Sequence, residues 1–338
     1  MQELLFLSSF AVAFSICAVL LPSYIKKARQ VGIVGADIHK PGNPKIAECG
    51  GVILVIAYLI GLFALIGLLA FIPSIDRLTV EELEIMMLQI IGTAATVLLS
   101  SFVGFIDDVY ETRWRVKVLT PLIGGVPLAA LQLRRTTIST PFGILDFAVF
   151  GLLGSIFLYC VVVPFIVTAC ANAVNMFAGL NGLEAGSALI IAAALSFLCI
   201  VKGKTLGLII LVPFLGALLA FLLYNWYPSR VFPGDVGTFA MGSVIACCAM
   251  LAYLERAVFF MFIPHTINAI MFFIGKLKGK EPPKQAPMNP DGTLPAPTIW
   301  SLRSIVLKIR PMKETTALYV MLLIVAASAL LGTLVYGI

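Results

Sequence analysis

Apolar residues run along this chain in long blocks separated by short polar stretches, with no sustained apolar–polar alternation. Ten blocks read as membrane-crossing helices: residues 3–21, 50–72, 86–106, 118–133, 143–171, 185–201, 206–224, 236–253, 257–275 and 316–337. A helix needs roughly 20 such residues to cross the hydrocarbon layer. Lipid offers no partners to backbone groups, so without barrel strands the chain must satisfy them within helices. The expected fold is an all-α polytopic membrane protein of about ten transmembrane helices. The fourth block carries Pro121, Gly124, Gly125 and Pro127, which predict a bent or partly broken helix.

Composition agrees. Of 338 residues, 60% are hydrophobic and 12% charged, against about 25% charged in soluble domains; mean hydropathy is +1.05. The whole chain, 1–338, reads as one integral membrane domain. Met1-Gln2-Glu3 carries no positive charge, and the basic cluster Lys26, Lys27, Arg29 follows the first span. The first span is therefore read as a retained helix, not a cleaved signal peptide, with that cluster in the cytoplasm. Alternating sides from there, the segments 22–49, 107–117, 172–184, 225–235 and 276–315 face the cytoplasm and hold 17 of the 23 Lys and Arg residues. The last is a long loop between the ninth and tenth helices. Arg134 and Arg135 run against this bias, and no pattern in the sequence accounts for them. A net charge of +6 suits anionic headgroups or an anionic substrate arriving from the cytoplasm. No basic helix or soluble domain is long enough to hold a duplex, so nucleic acid is not an expected partner. Seven cysteines without paired CxxC motifs read as small packing residues, not zinc ligands.

The cytoplasmic segments carry the candidate chemistry. FVGFIDDVYETRWRVK, 102–117, ends a helix on Asp107 and Asp108. Carboxylates at that end of a helix dipole are disfavoured by about 0.3–1 kcal/mol each. Adjacent helical residues point about 100° apart, so the two acids are expected to do different jobs, with Lys117 pairing one of them. In NAVNMFAGLNGLEAGS, 172–187, Asn172 and Asn175 share a helix face. They are either interhelical hydrogen-bond glue or neutral oxygen donors. Gly179, Gly182 and Gly186 around Asn181 predict a tight turn whose N–H groups can receive an anion or a heterocycle edge. In YNWYPSRVFPGDVGTF, 224–239, Asp235 opens the eighth span, where its plain reading is an N-cap; Phe232 stands three residues earlier. Taken together, these all-oxygen groups suit Mg²⁺ or Mn²⁺ held by one or two protein ligands and substrate phosphates. Nearby bases would hold further phosphate charge. The combination points to phosphoryl transfer between a water-soluble donor and a lipid.

Four motifs, KIAECGGV (45–52), GFIDDVYETRWRVK (104–117), NAVNMFAGLNGLEAG (172–186) and RVFPGDVGTF (230–239), resemble the polyprenyl-phosphate N-acetylhexosamine-1-phosphate transferases. They are most similar to the branch that uses dolichyl phosphate and UDP-GlcNAc. The resemblance implies a cytoplasm-facing site that transfers GlcNAc-1-phosphate from UDP-GlcNAc to dolichyl (polyprenyl) phosphate. The products would be GlcNAc-diphosphodolichol and UMP, the first step of lipid-linked glycan assembly for N-glycosylation. Carried over position by position, Asn175 and Asp235 would hold the metal, and Asp107, Asp108 and Lys117 would be catalytic at the phosphate site. Phe232 would stack on uracil, with the Gly179 backbone and Asn181 reading its edge. Glu48, Trp114 and Asn172 would lie near the donor. Bacterial relatives carry a His-rich motif in the last cytoplasmic loop; this chain has none there, and Lys280 and Lys284 are expected in its place. The implied partners are UDP-GlcNAc, polyprenyl phosphate, the bilayer and a second copy in a homodimer. An archaeal plasma membrane is expected, with the endoplasmic reticulum as alternative. The rival readings are a sibling transferase using another UDP-amino sugar or undecaprenyl phosphate, and a secondary transporter.

Three further expectations concern other segments. His265 and Asn268 beside Pro264 predict a kinked ninth span with internal hydrogen bonds, which could also shape a groove for a prenyl tail. TIWSLRSIVLKIR, 298–310, spaces Ile299, Leu302, Val306 and Ile309 as an interfacial helix. His39 reads as a solvated loop residue.

Overall fold

The apolar blocks fold as helices, and prolines decide where they break. The computed structural model describes residues 2–69, 79–110, 113–131, 135–279, 288–296 and 298–337. Helix α1 (Gln2–Val31) leads into an antiparallel hairpin of β1 (Val34–Ala36) and β2 (Lys45–Ala47), with Val34 opposite Ala47. Two long helices follow, α2 (Gly51–Leu69) and α3 (Val80–Tyr110). The fourth block is broken as its prolines predict, into α4 (Trp114–Leu119) and α5 (Leu122–Ala130). Pro121 has no N–H with which to continue α4, and nine residues of α5 reach only about 14 Å, too short to cross alone.

A second hairpin, β3 (Thr137–Thr140) and β4 (Gly143–Asp146), precedes α6 (Gly151–Phe157) and α7 (Val163–Met176). A π turn at Leu158–Val162 joins these two helices just before Pro164, a looser turn of the kind found at helix breaks. Then come α8 (Leu183–Val201), α9 (Thr205–Asn225), α10 (Gly234–Ala252), α11 (Glu255–Met261), α12 (Ile263–Leu277), the short α13 (Leu302–Ile309) and α14 (Glu314–Gly337). Among the described residues, eight helical segments are long and apolar enough to cross a membrane. The pair α11 and α12, bent by 62° next to Pro264, makes a ninth if it forms one span. The difference from ten is the broken fourth block.

Helix α10 is the axis of the bundle. Its span is 94% buried, against α3, α7, α9 and α2. Alanine, glycine and serine recur along it (Gly237, Ala240, Gly242, Ser243, Ala246, Ala249), and small residues let membrane helices pack backbone to backbone.

Arg135, which opposes the charge bias, is a structural residue. Its guanidinium pairs with Glu255 at 2.5 Å. It also donates to the carbonyls of Thr137 (2.6 and 2.8 Å) and Met250 (2.8 Å), and lies 4.4 Å from the Tyr253 ring centroid. It therefore ties the second hairpin to the end of α10 remote from Asp235. Arg134 lies outside the described residues.

The kink at His265 makes internal hydrogen bonds, as expected, although the buried His265 Nδ1 has no partner among the described residues. Its ring contacts Ser187 Oγ (3.2 Å) and packs against Phe177 and Phe262. Asn268 donates to the Met176 carbonyl (2.6 Å) and accepts from the Leu302 N–H (3.0 Å). Helix α13 forms, with Ile309 of the expected stripe exposed alongside Ile305, and with Arg303, Ser304 and Leu307 buried against the protein. His39 is also buried, not solvated, with its Nε2 3.5 Å from Arg303 Nη1.

Candidate active site

Four helix ends meet at one end of α10. Helix α3 brings Asp107 and Asp108, α10 brings Asp235, α7 brings Asn175 and α4 brings Lys117. Gly104 makes the approach of α3 possible, because a β-carbon there would run into the Asp235 backbone. Asp107 and Asp108 follow Gly104 by three and four residues, so they sit on the same side of α3.

The two acids do different jobs, as their 100° separation predicts. Asp108 accepts the backbone N–H groups of Asp235 (2.8 Å) and Val236 (3.1 Å). It thus caps α10 from a neighbouring helix, and the positive end of the α10 dipole offsets the unfavourable end of α3. Asp235 is therefore not the N-cap that its position suggests; it lies within the first turn, and its side chain is left for other partners. Asp107 is buried and pairs with Lys117 at 2.6 Å. Lys117 also pairs with Asp235 Oδ2. Asn175 Nδ2 donates to Asp235 Oδ1 and to Thr238 Oγ1 (2.9 Å). Burial pulls the Lys117 pKa down, but Asp235 and Asp107 outweigh it and hold the ammonium above the ordinary lysine value.

Asn172 takes the bland option. Its amide donates to the carbonyls of Val118 (3.0 Å) and Thr168 (3.1 Å), fastening α4 to α7. The turn after α7 passes through Gly179 at φ +127, a conformation that favours glycine. The Gly179 carbonyl accepts from Arg303 Nη1. Asn181 is buried, and its oxygen accepts from Lys40 Nζ (2.5 Å) and the Ser229 N–H (2.9 Å). The loop before α10 is held in register with the first hairpin. Ala47 and Val231 form a parallel bridge, the Phe232 N–H donates to the Ala47 carbonyl (2.8 Å), and the Gly50 N–H donates to the Phe232 carbonyl (2.9 Å). Glu48 and Phe232 thereby come to line the same cavity.

Two cavities open beside this cluster. One, of about 240 Å³, is polar and includes Glu48, Phe232, Asp235, Asn181 and Glu184 in its wall. The other, of about 310 Å³, is more apolar and includes Trp114, Lys117, Asn172, Phe272 and Trp300. Asn175, Ala178 and Gly179 line both. Asp107 stands behind Lys117, and Asp108 behind the α10 backbone. Lys280 and Lys284 lie outside the described residues. Sequence reasoning missed Arg303, Thr238 and Lys40. Arg303 falls within what reads as an interfacial stripe, and the other two carry no motif that marks them.

The donor set fits a hard cation held jointly with phosphate. Among the described residues no group of three or more His, Cys, Asp or Glu forms a cation cage. Asp235 and the Asn175 oxygen, which has no partner among the described residues, would match the one or two protein oxygens that Mg²⁺ takes when substrate phosphates supply others.

Residues 90–253, which include every member of the Asp107–Asp108–Lys117–Asn175–Asp235 cluster, match glycosyl transferase family 4. The chain is similar to a UDP-N-acetylglucosamine–dolichyl-phosphate N-acetylglucosaminephosphotransferase of Dictyostelium discoideum, at 28% identity over 280 residues, covering 74% of this chain and 67% of that one. A Saccharolobus solfataricus protein provisionally given the same name is 31% identical over 283 residues, 82% of this chain and 81% of its own. A phospho-N-acetylmuramoyl-pentapeptide-transferase of Desulforudis audaxviator is 30% identical over 303 residues, 82% and 86% of the two chains. With motifs, helical bundle and site cluster in agreement, the chain belongs to glycosyl transferase family 4, among the polyprenyl-phosphate N-acetylhexosamine-1-phosphate transferases.

Proposed function

We propose that the protein transfers GlcNAc-1-phosphate from UDP-GlcNAc to dolichyl or another polyprenyl phosphate, the first step of lipid-linked glycan assembly for N-glycosylation. The observation that carries this reading is the position of the Lys117–Asp235–Asn175 cluster where a polar cavity meets a more apolar one. The nucleotide belongs in the polar cavity, with Phe232 stacking on uracil and Asn181 and the Gly179 backbone at its edge. An acceptor phosphate belongs on the Lys117 side. A further apolar groove of about 230 Å³ runs along α7 from Phe165 to Ala173, two residues short of Asn175, and suits a prenyl chain.

An oxygen of the acceptor phosphate bonds to the β-phosphorus, the bond from that phosphorus to the bridging oxygen breaks, and UMP leaves with that oxygen. A phosphate monoester has a second pKa near 6, so the acceptor arrives as an oxyanion and needs no strong base. The difficulty is bringing two anions together. Lys117 supplies one fixed positive charge, Asp107 fixes its position, and Asp108 holds the helix start that aims Asp235. Asn175 and Asp235 would hold Mg²⁺, or Mn²⁺, which when bound supplies further neutralisation of the diphosphate.

The Lys and Arg bias supports a site facing the cytoplasm, and the archaeal relative supports an archaeal plasma membrane, with the endoplasmic reticulum as alternative. The chain acts as one transferase domain, and every group named comes from a single copy. The similarity to a muramoyl-pentapeptide transferase keeps a sibling reaction, with another UDP-amino sugar or undecaprenyl phosphate, as the second reading. The test incubates purified protein with labelled UDP-GlcNAc, dolichyl phosphate and Mg²⁺. Labelled lipid and UMP are expected together. No lipid product from any UDP-N-acetylhexosamine, with dolichyl or undecaprenyl phosphate, overturns the transferase reading.

A further inference from the structure

The side-chain amide of Asn181 is clamped by three groups whose hydrogen-bonding roles cannot be exchanged. The Lys40 ammonium can only donate, and its Nζ lies 2.5 Å from Asn181 Oδ1. The Ser229 N–H can only donate, and lies 2.9 Å from the same oxygen. The Asp37 carboxylate, paired with Lys40 at 2.5 Å, accepts from Asn181 Nδ2 at 3.2 Å. An amide turned by 180° would set its NH₂ against two donors and its oxygen against a carboxylate. Amide orientation is ordinarily inferred from the hydrogen-bond network, and here the network allows one answer.

The clamp is itself held in place. Lys40 reaches Glu314 at 3.2 Å and lies 4.6 Å from the Tyr227 ring centroid. Glu314 accepts the Asn181 backbone N–H at 3.0 Å. Asp37, Asn181 and Glu314 are all buried. After Asp37 has taken one amide hydrogen, the second has no partner among the described residues, and Asn181 lines the polar cavity together with Phe232.

We propose that Lys40 and Asp37 are positioning residues for base selection. By locking the Asn181 amide, they make the cavity demand a hydrogen-bond acceptor from the nucleobase edge. The proposal rests on the donor-site reading above. Uracil presents a carbonyl oxygen at C4; cytosine presents an amine there. An amine facing the free Asn181 N–H would leave two donors unpaired in a confined space, the situation in which polar sites discriminate most strongly.

The test is the ratio of dissociation constants for UDP and CDP, measured by calorimetry on the purified full chain in detergent with Mg²⁺. Wild-type protein is expected to favour UDP by at least about a hundredfold. Lys40→Met is expected to lower that ratio by about tenfold or more, whereas Lys40→Arg, still a donor to Asn181 and Asp37, keeps it within about threefold. The charge-conserving exchange Asp37→Asn with Asn181→Asp offers a carboxylate oxygen at the same place and is expected to shift preference toward CDP. A merely structural role for Lys40 would weaken both nucleotides equally, so an unchanged ratio in Lys40→Met overturns the proposal even if the exchange variant fails to fold. Wild-type protein that binds UDP and CDP equally overturns it too, while leaving the donor site standing. Wild-type protein that binds neither overturns the donor-site reading and this proposal with it.

Discussion

The carboxylate of Asp108 caps the helix that carries Asp235, accepting the N–H of Asp235 at 2.8 Å and that of Val236 at 3.1 Å. One acid thereby fixes where another points. Asp108→Ala removes the cap, at about 1–2 kcal/mol of stability, and lets the first turn of α10 fray. Turnover is expected to fall more than about tenfold, since misplaced catalytic groups lose rate steeply. Thermal unfolding and kcat measured on the same preparation check both parts, and unchanged turnover would sink the positioning role.

Lys117 is the shared cation of Asp107 and Asp235. Lys117→Met leaves two carboxylates facing each other without compensation, and turnover is expected to fall by about 10²–10³, with Lys117→Arg recovering part of it. The pH dependence has a definite sign. The folded pKa is raised above the ordinary value, so the stabilisation is fully present below about pH 10.4 and is lost only as pH rises through the folded value. In Lys117→Met the two facing carboxylates lose their shared cation and oppose each other's ionisation, so the stability gap from wild type should widen as pH rises from about 5 to 9; a gap that narrows over this range would contradict the assignment.

Asp235→Ala and Asn175→Ala are expected to remove most turnover, about 10² or more each, while the protein still folds. If these two residues hold the cation with the diphosphate, chelation abolishes turnover and Mg²⁺ or Mn²⁺ restores it. Mn²⁺ binding followed by electron paramagnetic resonance should strengthen when UDP is added to wild type, and not in Asp235→Ala.

Arg135→Met should separate stability from catalysis. It leaves Glu255 buried without its cation, which costs about 3–5 kcal/mol. The change lies about 23 Å along α10 from Asp235, roughly 15 residues at the helical rise. A lower thermal midpoint with an unchanged KM for UDP-GlcNAc is expected; a raised KM would mean that the hairpin lock reaches the site.

Much of the fold is legible because burial in lipid leaves a coarse signal. Long apolar blocks become helices, and Pro121 breaks the fourth one where it stands. The site acids are legible because Asp107 and Asp108 break a local rule at the end of α3, and such a violation calls for a compensating partner. What the sequence hides is the partner: nothing local says that Asp108 caps α10, whose first residues lie 127 and 128 positions further along the chain. His39 and Arg303 mislead for the same reason. Polarity on a loop or a short helix looks like solvation until another segment covers it, and these two residues cover each other. Arg135 looks anomalous by charge counting alone, because its carboxylate partner, Glu255, stands far along the chain. Cys49 fits the expectation of an inert packing thiol: it is buried, and burial pushes its pKa up to about 12.

The wall formed by Asn175, Ala178 and Gly179 belongs to both cavities, and this sharing has a kinetic consequence. On the proposed assignment each substrate has its own compartment, so neither must leave before the other enters. Double-reciprocal plots of initial rate should intersect instead of running parallel, and UMP should compete with the sugar nucleotide while leaving the affinity for the lipid phosphate untouched.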